Sequence, residues 1–396
     1  MSLANGRTYL AIPGPSVMPE RVLRAMMRSA PNIYTGEMVD MTHGLVPDLK
    51  TIAGTSQNLA MYITNGHGLW EASLSNVISR GDRVLSLVTG NFGSGWAGVA
   101  RALGAQVAEL DFGNRAALEV AQVINALKLD SHHTIKAVTC VHVDTATSVR
   151  NDIKALGAAM RDLGHPALLM VDCIASLGCD EFRFDDWNVD VMIAASQKGL
   201  MTPPGMGFIW FSDRALEAGK AADLRTPYWD WTGRATPAQL YEYFDGTAPT
   251  HHLYALRAAV DMILEEGLEA VWARHATLAS AYHAAFAAWG CTELNIADPA
   301  ARSNAVTTLR MTAPDATRLR EWMEQEAGVT LGISLGLVDP ASPEWHGFFR
   351  VGHMGHLNAH MVLGNIASLE AAFEALGIAR GAGALEAATK VIAAGA

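Results

Sequence analysis

Two side chains in this sequence have the types and positions of a working pair. One apolar run, Ala167-Leu168-Leu169-Met170-Val171, ends in the acid Asp172. A second, Val191-Met192-Ile193-Ala194-Ala195, leads through Ser196 and Gln197 to Lys198. Continuous apolar runs of this length read as strands covered on both faces. Ligands in open α/β sheets bind just beyond the carboxyl ends of such strands. A lysine there among small residues, followed by Gly199 and Met201-Thr202-Pro203-Pro204-Gly205, is partly desolvated, which makes its amine a better nucleophile toward carbonyls. An acid and a lysine at neighbouring strand ends are what a pyridoxal Schiff base requires: the amine binds the aldehyde and the carboxylate pairs with the pyridinium nitrogen. Taken alone, Asp172 reads more readily as a helix cap or turn residue, and an isolated lysine as a solvated surface group.

A third segment, Thr64-Asn65-Gly66-His67-Gly68-Leu69-Trp70-Glu71, is a glycine-rich turn opening a helix. Free N–H groups at a helix start suit a phosphate, although such a turn is more often only a tight connection. It lacks the G-x-G-x-x-G dinucleotide fingerprint. Rival chemistries fit less well. His132-His133, His251-His252 and the pair His353 and His356 are available, but adjacent histidines on a strand face opposite ways and there is no His-Glu-x-x-His, so no metal is expected. Gly90-Asn91-Phe92-Gly93-Ser94-Gly95 does not match the G-x-S-x-G elbow of a serine hydrolase.

The elements that must position these groups alternate along the chain. Arg83–Val88, Gln106–Leu110, Ala137–Val141 and Gly207–Phe211 read as further strands, and Asp152–Leu163 as a helix with apolar residues three to four apart. This alternation indicates an α/β fold. After about residue 255 the texture changes: Leu256–Trp289 has helical spacing, followed by a strand near Ala305–Met311, a helix near Ala316–Gln325 and a final Ala-rich helix. The expected division is an extended arm over 1–15, a large α/β domain over 16–265 and a smaller α+β domain over 266–396. The chain is half hydrophobic and 17% charged, enough for a sizeable core, and its formal net charge of −11 disfavours nucleic acid and anionic membrane. There is no 18-residue uncharged apolar run and no basic start leading into an apolar stretch, as a signal peptide would need. Four cysteines without a C-x-x-C pair fit no disulfide framework, so the expected location is the cytoplasm.

From Ile12 to about Gly355 the chain resembles the fold-type I, class V pyridoxal-phosphate aminotransferases, and within them the alanine/serine–glyoxylate group. The resemblance rests on Val171-Asp172-Cys173-Ile174-Ala175-Ser176-Leu177-Gly178 and on Ser196-Gln197-Lys198-Gly199 with Pro203-Pro204-Gly205. Pro13-Gly14-Pro15, Asn65-Gly66-His67 and Arg350-Val351-Gly352-His353-Met354-Gly355 support it. It implies a large domain with a mostly parallel seven-stranded sheet, with pyridoxal phosphate held as a Schiff base on Lys198. By similarity Asp172 keeps the ring nitrogen protonated, and Asn65, Gly66, His67 and Gln197 lie near the phosphate and ring. Phe92 matches the aromatic that stacks on the ring, though it reads equally well as a core phenylalanine. Thr145 falls where relatives place a hydroxyl near ring and substrate carboxylate, and Arg350 where they place the carboxylate clamp; a surface salt bridge is the plainer role for that arginine. A planar guanidinium suits the clamp because its fork binds both oxygens.

The same resemblance implies a homodimer with shared sites, in which Thr247 reaches the phosphate of the neighbouring subunit. The chain departs from the pattern where Phe244 replaces a tyrosine, so one phosphate hydrogen bond is either missing or supplied elsewhere, Tyr243 being one candidate. Pro31–Met41 also lacks the basic residues of relatives, and Thr226-Pro227-Tyr228-Trp229-Asp230-Trp231 is unusually aromatic, reading either as packing at the dimer seam or as substrate contact. The expected reaction is a ping-pong transamination from serine or alanine to glyoxylate or pyruvate. A lyase or decarboxylase on the same fold, or another donor such as aspartate or pyridoxamine, is the alternative. A cysteine desulfurase is disfavoured, because Leu331-Gly332-Ile333-Ser334-Leu335-Gly336 carries no cysteine.

Overall fold

A computed structural model describes residues 2–395. Met1 and Ala396, the outer bounds of the expected arm and C-terminal domain, lie outside the described residues. In chain order the strands are β1 (Tyr9–Ala11), β2 (Asn58–Thr64), β3 (Arg83–Val88), β4 (Gln106–Asp111), β5 (Ile135–Val141) and β6 (Leu168–Asp172). They continue with β7 (Val191–Ala195), β8 (Gly205–Phe211), β9 (Glu293–Leu294), β10 (Val306–Arg310), β11 (Val329–Leu331) and β12 (Phe348–Gly352).

Seven of them form one sheet in the order β2-β8-β7-β6-β5-β3-β4. The β3–β4, β3–β5, β5–β6 and β6–β7 pairs are parallel, whereas β8 runs antiparallel to both β7 and β2. The apolar runs of β6 and β7 are buried along their whole length, as strands covered on both faces must be. The edge strand β4 alternates instead, and its Glu109 pairs with Arg101 on the covering helix. Because β5, β6 and β7 are parallel neighbours, their carboxyl ends fall side by side, and the loops leaving them share one rim of the sheet.

Local chemistry sets the helix ends. Asp152 caps Ile153–Leu163 by accepting the Ala155 N–H, and Gly164 ends it in the left-handed region. Leu256–Trp289, one helical stretch in the sequence, is two helices: Thr250–Glu266 and Leu268–Trp289, separated at Gly267 with φ +84°. Likewise the final Ala-rich stretch is two helices, Ala359–Leu376 and Ala384–Gly395. Beyond the large sheet, β12-β10-β9 form a second one. It shares a separate core with Tyr282, Phe286, Leu319, Ile366 and Phe373. The arm does not merely extend: β1 pairs in parallel with β11, Tyr9 opposite Val329 and Ala11 opposite Leu331.

Candidate active site

At the carboxyl ends of β5, β6 and β7 the structure opens a cavity of about 220 Å³. Asn65, Gly66, His67, Phe92, Thr145, Asp172, Gln197 and Lys198 all line it. The three segments that sequence reasoning picked out separately therefore meet. A larger groove of about 890 Å³, running past His165, Asp190 and Arg214, lies at the opposite ends of these strands and holds none of these eight residues. The smaller cavity is the one on the side where α/β sheets bind their ligands.

Asp172 is the last residue of β6. Its Oδ1 accepts the Ile174 N–H at 2.8 Å, and its Oδ2 accepts the Trp70 indole N–H at 2.7 Å. Burial pushes its carboxyl up to about 6, against the pull of those two donors. Lys198 sits in the turn after β7, half-buried, and desolvation pushes its amine down to about 8. The Arg350 cation adds to that shift and the Asp172 carboxylate opposes it. The amine donates to the Pro13 carbonyl, while Ser16 donates from its hydroxyl to the Lys198 carbonyl at 2.7 Å and from its N–H to the Gln197 carbonyl at 2.9 Å.

Asn65 is the N-cap of the helix Gly66–Ser75, its side-chain oxygen accepting the N–H groups of His67 at 3.1 Å and Gly68 at 3.3 Å. Phe92 opens the helix Asn91–Ala102 beside the cavity. Its N–H and that of Gly93 reach Asp144 Oδ2 at 2.8 and 3.3 Å, while Asp144 Oδ1 takes the N–H groups of Ala146 and Thr147 at 2.9 and 3.4 Å. One buried carboxylate thus ties the Phe92 turn to the Thr145 turn. Arg350, in the middle of β12, is 5% exposed and so is not a surface ion-pairing group. Its Nη1 donates to the Thr145 carbonyl at 2.8 Å and its Nε to the Ile333 carbonyl at 2.7 Å. Those contacts fix the guanidinium against a cavity-lining residue.

Thr247 is exposed and does not line this cavity; it lies in the connection leading to Thr250–Glu266. Tyr243 and Phe244 are buried in the core of the large sheet. The aromatic segment braces the helix Gly66–Ser75 from within the chain. The Trp229 indole N–H donates to Glu71 Oε1 at 3.1 Å, Tyr228 donates its hydroxyl to the Ile63 carbonyl, and Trp231 stacks on Phe211. Sequence reasoning missed Trp70 and Asp144. The spacing of Trp70 from His67, three residues along one helix, was a usable signal, since such residues share a face. Asp144 offered none, because its role depends on turns distant in the chain.

The donor set fits pyridoxal phosphate: an amine for the aldehyde, an acid for the ring nitrogen and a helix start for the phosphate. Gln197 Oε1, buried in the cavity wall, has no hydrogen-bond partner in the protein, and buried polar atoms rarely go unpaired. Among the described residues no three His, Cys, Asp or Glu side chains are grouped as metal ligands.

The family model described as Aminotransferase class-V matches residues 8–336. The serine–glyoxylate aminotransferase of Methylorubrum extorquens is 38% identical, with 92% of this chain and 90% of that protein covered. The enzyme of the same name from Arabidopsis thaliana is 36% identical, with 97% and 95% covered. The crystal structure of ureidoglycine–glyoxylate aminotransferase from Bacillus subtilis superposes with a TM-score of 0.88 at 27% identity, covering 98% of each chain. Likeness of this extent, across nearly the whole length, places the chain in the class-V aminotransferases, enzymes that work with pyridoxal phosphate.

Proposed function

We propose that this enzyme moves the amino group of a small amino acid, serine or alanine, to a 2-oxo acid such as glyoxylate or pyruvate. The observation that carries the reading is the single cavity onto which Lys198, Asp172 and Thr145 open, with Arg350 fixed against the Thr145 carbonyl. Glyoxylate is the acceptor named for all three relatives above.

Bound pyridoxal phosphate supplies an electron sink that draws charge from the substrate α-carbon. The remaining work falls to side chains. Lys198 would hold the cofactor through its amine and, at Nζ, would serve as the base that removes the substrate α-proton and the acid that returns it. Asp172 would serve the ring nitrogen as a carboxylate, Phe92 would stack on the ring, and Asn65, Gly66, His67 and Gln197 would hold the phosphate and ring. Thr145 and Arg350 orient the substrate carboxylate, the guanidinium by its two-pronged donor geometry. The amino acid and the 2-oxo acid use the same groups in turn, which makes the reaction ping-pong.

The working unit would be a homodimer in which Thr247 would reach the phosphate of the other subunit's cofactor; the exposure of Thr247 beside the large sheet's core supports this. The chain divides near residue 265 into a large cofactor-binding part and a small C-terminal part, a reading supported by their separate cores. The cytoplasm is the proposed location, supported by four cysteines that all remain free. Among the described residues no helix is long and apolar enough to cross a membrane.

The test is the absorption spectrum of the purified enzyme as serine, alanine and aspartate are added in turn, followed by glyoxylate. Serine or alanine should abolish the visible band of the lysine-bound cofactor, and glyoxylate should restore it. A band that responds only to aspartate would overturn the donor assignment.

A further inference from the structure

Trp70 is 2% exposed within the helix Gly66–Ser75, and its indole N–H reaches Asp172 Oδ2 at 2.7 Å. The other carboxylate oxygen is held by the Ile174 N–H, so both oxygens of the acid have a fixed neutral donor. The indole is itself clamped. The His67 ring meets it edge-on at 4.6 Å and the Phe92 ring at 6.2 Å. Gly95 makes room for it, since a Cβ there would lie 3.0 Å from the indole. Three cavity-lining residues, His67, Phe92 and Asp172, thus converge on one side chain that reaches all of them.

We propose that Trp70 is a positioning residue of this active site: its indole N–H fixes the Asp172 carboxylate as partner of the cofactor's ring nitrogen. The proposal rests on the reading of Asp172 as that partner. The physical need is plain. A buried acid drifts toward its neutral form, and a protonated Asp172 cannot balance a pyridinium. Facing it are Cys140 at the end of β5, Cys173 beside it, Asp144, His67 and Lys198; Asp144 opposes its ionisation and Lys198 favours it. A donor aimed at one carboxylate oxygen stabilises the charged form and holds it in place. Phenylalanine would fill much of the same space without that donor.

The experiment compares wild type, Trp70→Phe, Asp172→Asn and the double variant. In cofactor-free protein labelled with ¹³C-aspartate, Trp70→Phe should move the Asp172 titration upward from about 6. Its affinity for pyridoxal phosphate should fall roughly tenfold, the worth of one hydrogen bond to a charged group. Turnover should drop while the KM for the amino donor stays nearly constant, because Arg350 and Thr145 are untouched. In the Asp172→Asn background the Trp70 change should cost far less, as expected of residues acting as one unit. If Trp70→Phe does not fold, 3-benzothienylalanine at position 70 repeats the test, keeping the indole's shape with sulfur in place of N–H. An unmoved titration with unchanged cofactor affinity, or equal losses in both backgrounds, would overturn the proposal. A harmless Asp172→Asn would instead overturn the underlying assignment of the ring partner.

Discussion

The ε-amine of Lys198 donates a hydrogen bond to the main-chain carbonyl of Pro13, 185 positions earlier in the chain. The next residue, Gly14, has φ +92°, and a Cβ built on it would sit 2.5 Å from both Cδ and Nζ of the lysine. The arm is therefore a wall of the lysine's compartment. A left-handed glycine is required there twice over, for its backbone and for the space.

Gly14→Ala should leave the large sheet intact and displace the lysine. We expect a folded protein, by circular dichroism, whose Lys198 is scarcely labelled when borohydride reduces the cofactor linkage. Full labelling by mass spectrometry would mean that the arm simply moves aside.

The lysine's pKa predicts a pH profile for cofactor capture. Only the neutral amine attacks an aldehyde, so uptake of pyridoxal phosphate by cofactor-free protein should accelerate as pH rises from 6.5 and level off above about 8. Arg350→Gln removes a neighbouring like charge and should move that midpoint upward. A profile still rising steeply at about pH 10, the range of an unperturbed lysine, would contradict the burial argument.

Asp172 predicts a stability effect whose sign can be worked out. Its folded pKa of about 6 lies above the unfolded value of roughly 3.9, so burial favours the protonated acid. Its contribution is fully present below about pH 4 and is lost as pH rises toward 6. Cofactor-free Asp172→Asn should therefore be more stable than wild type at pH 8, by about 3 kcal/mol, and the difference should close near pH 4. Denaturant titrations at the two pH values check it; equal gaps at both would count against a buried ionised acid.

Arg350→Ala should raise the KM of both amino donor and 2-oxo acceptor roughly ten- to a hundredfold, since both present a carboxylate to one guanidinium. Cofactor content, measured by absorbance, should hardly change. A variant altered for one substrate alone would mean that the two carboxylates bind differently.

How much of this was legible beforehand depended on the range of the interaction. Asp172 and Lys198 were legible because each ends an apolar run, and burial on both faces of a sheet leaves that pattern in the sequence. Asn65 was legible as the residue before a glycine-rich helix start. Trp70 was legible only as a neighbour of His67 on one helix face; nothing near it announces a carboxylate 102 positions away. Asp144 was hidden for the same reason: its four N–H partners belong to two turns whose meeting only the folded sheet decides. The split of Leu256–Trp289 at Gly267 was missed because apolar spacing continues through the break.

The parallel pairing of β1 with β11 also bears on the order in which the molecule takes shape. Tyr9 and Val329 are partners, and a Cβ on Gly352 would run into the Ile12 carbonyl at 2.0 Å. A ribosome emitting this chain releases Pro13 long before the strands that seat it. The large sheet can pair from neighbours close in sequence, but the lysine's compartment has to wait for β11 and β12. Closing so long a loop is slow compared with local pairing. During synthesis the reactive amine is therefore unenclosed for the interval in which more than a hundred further residues are added.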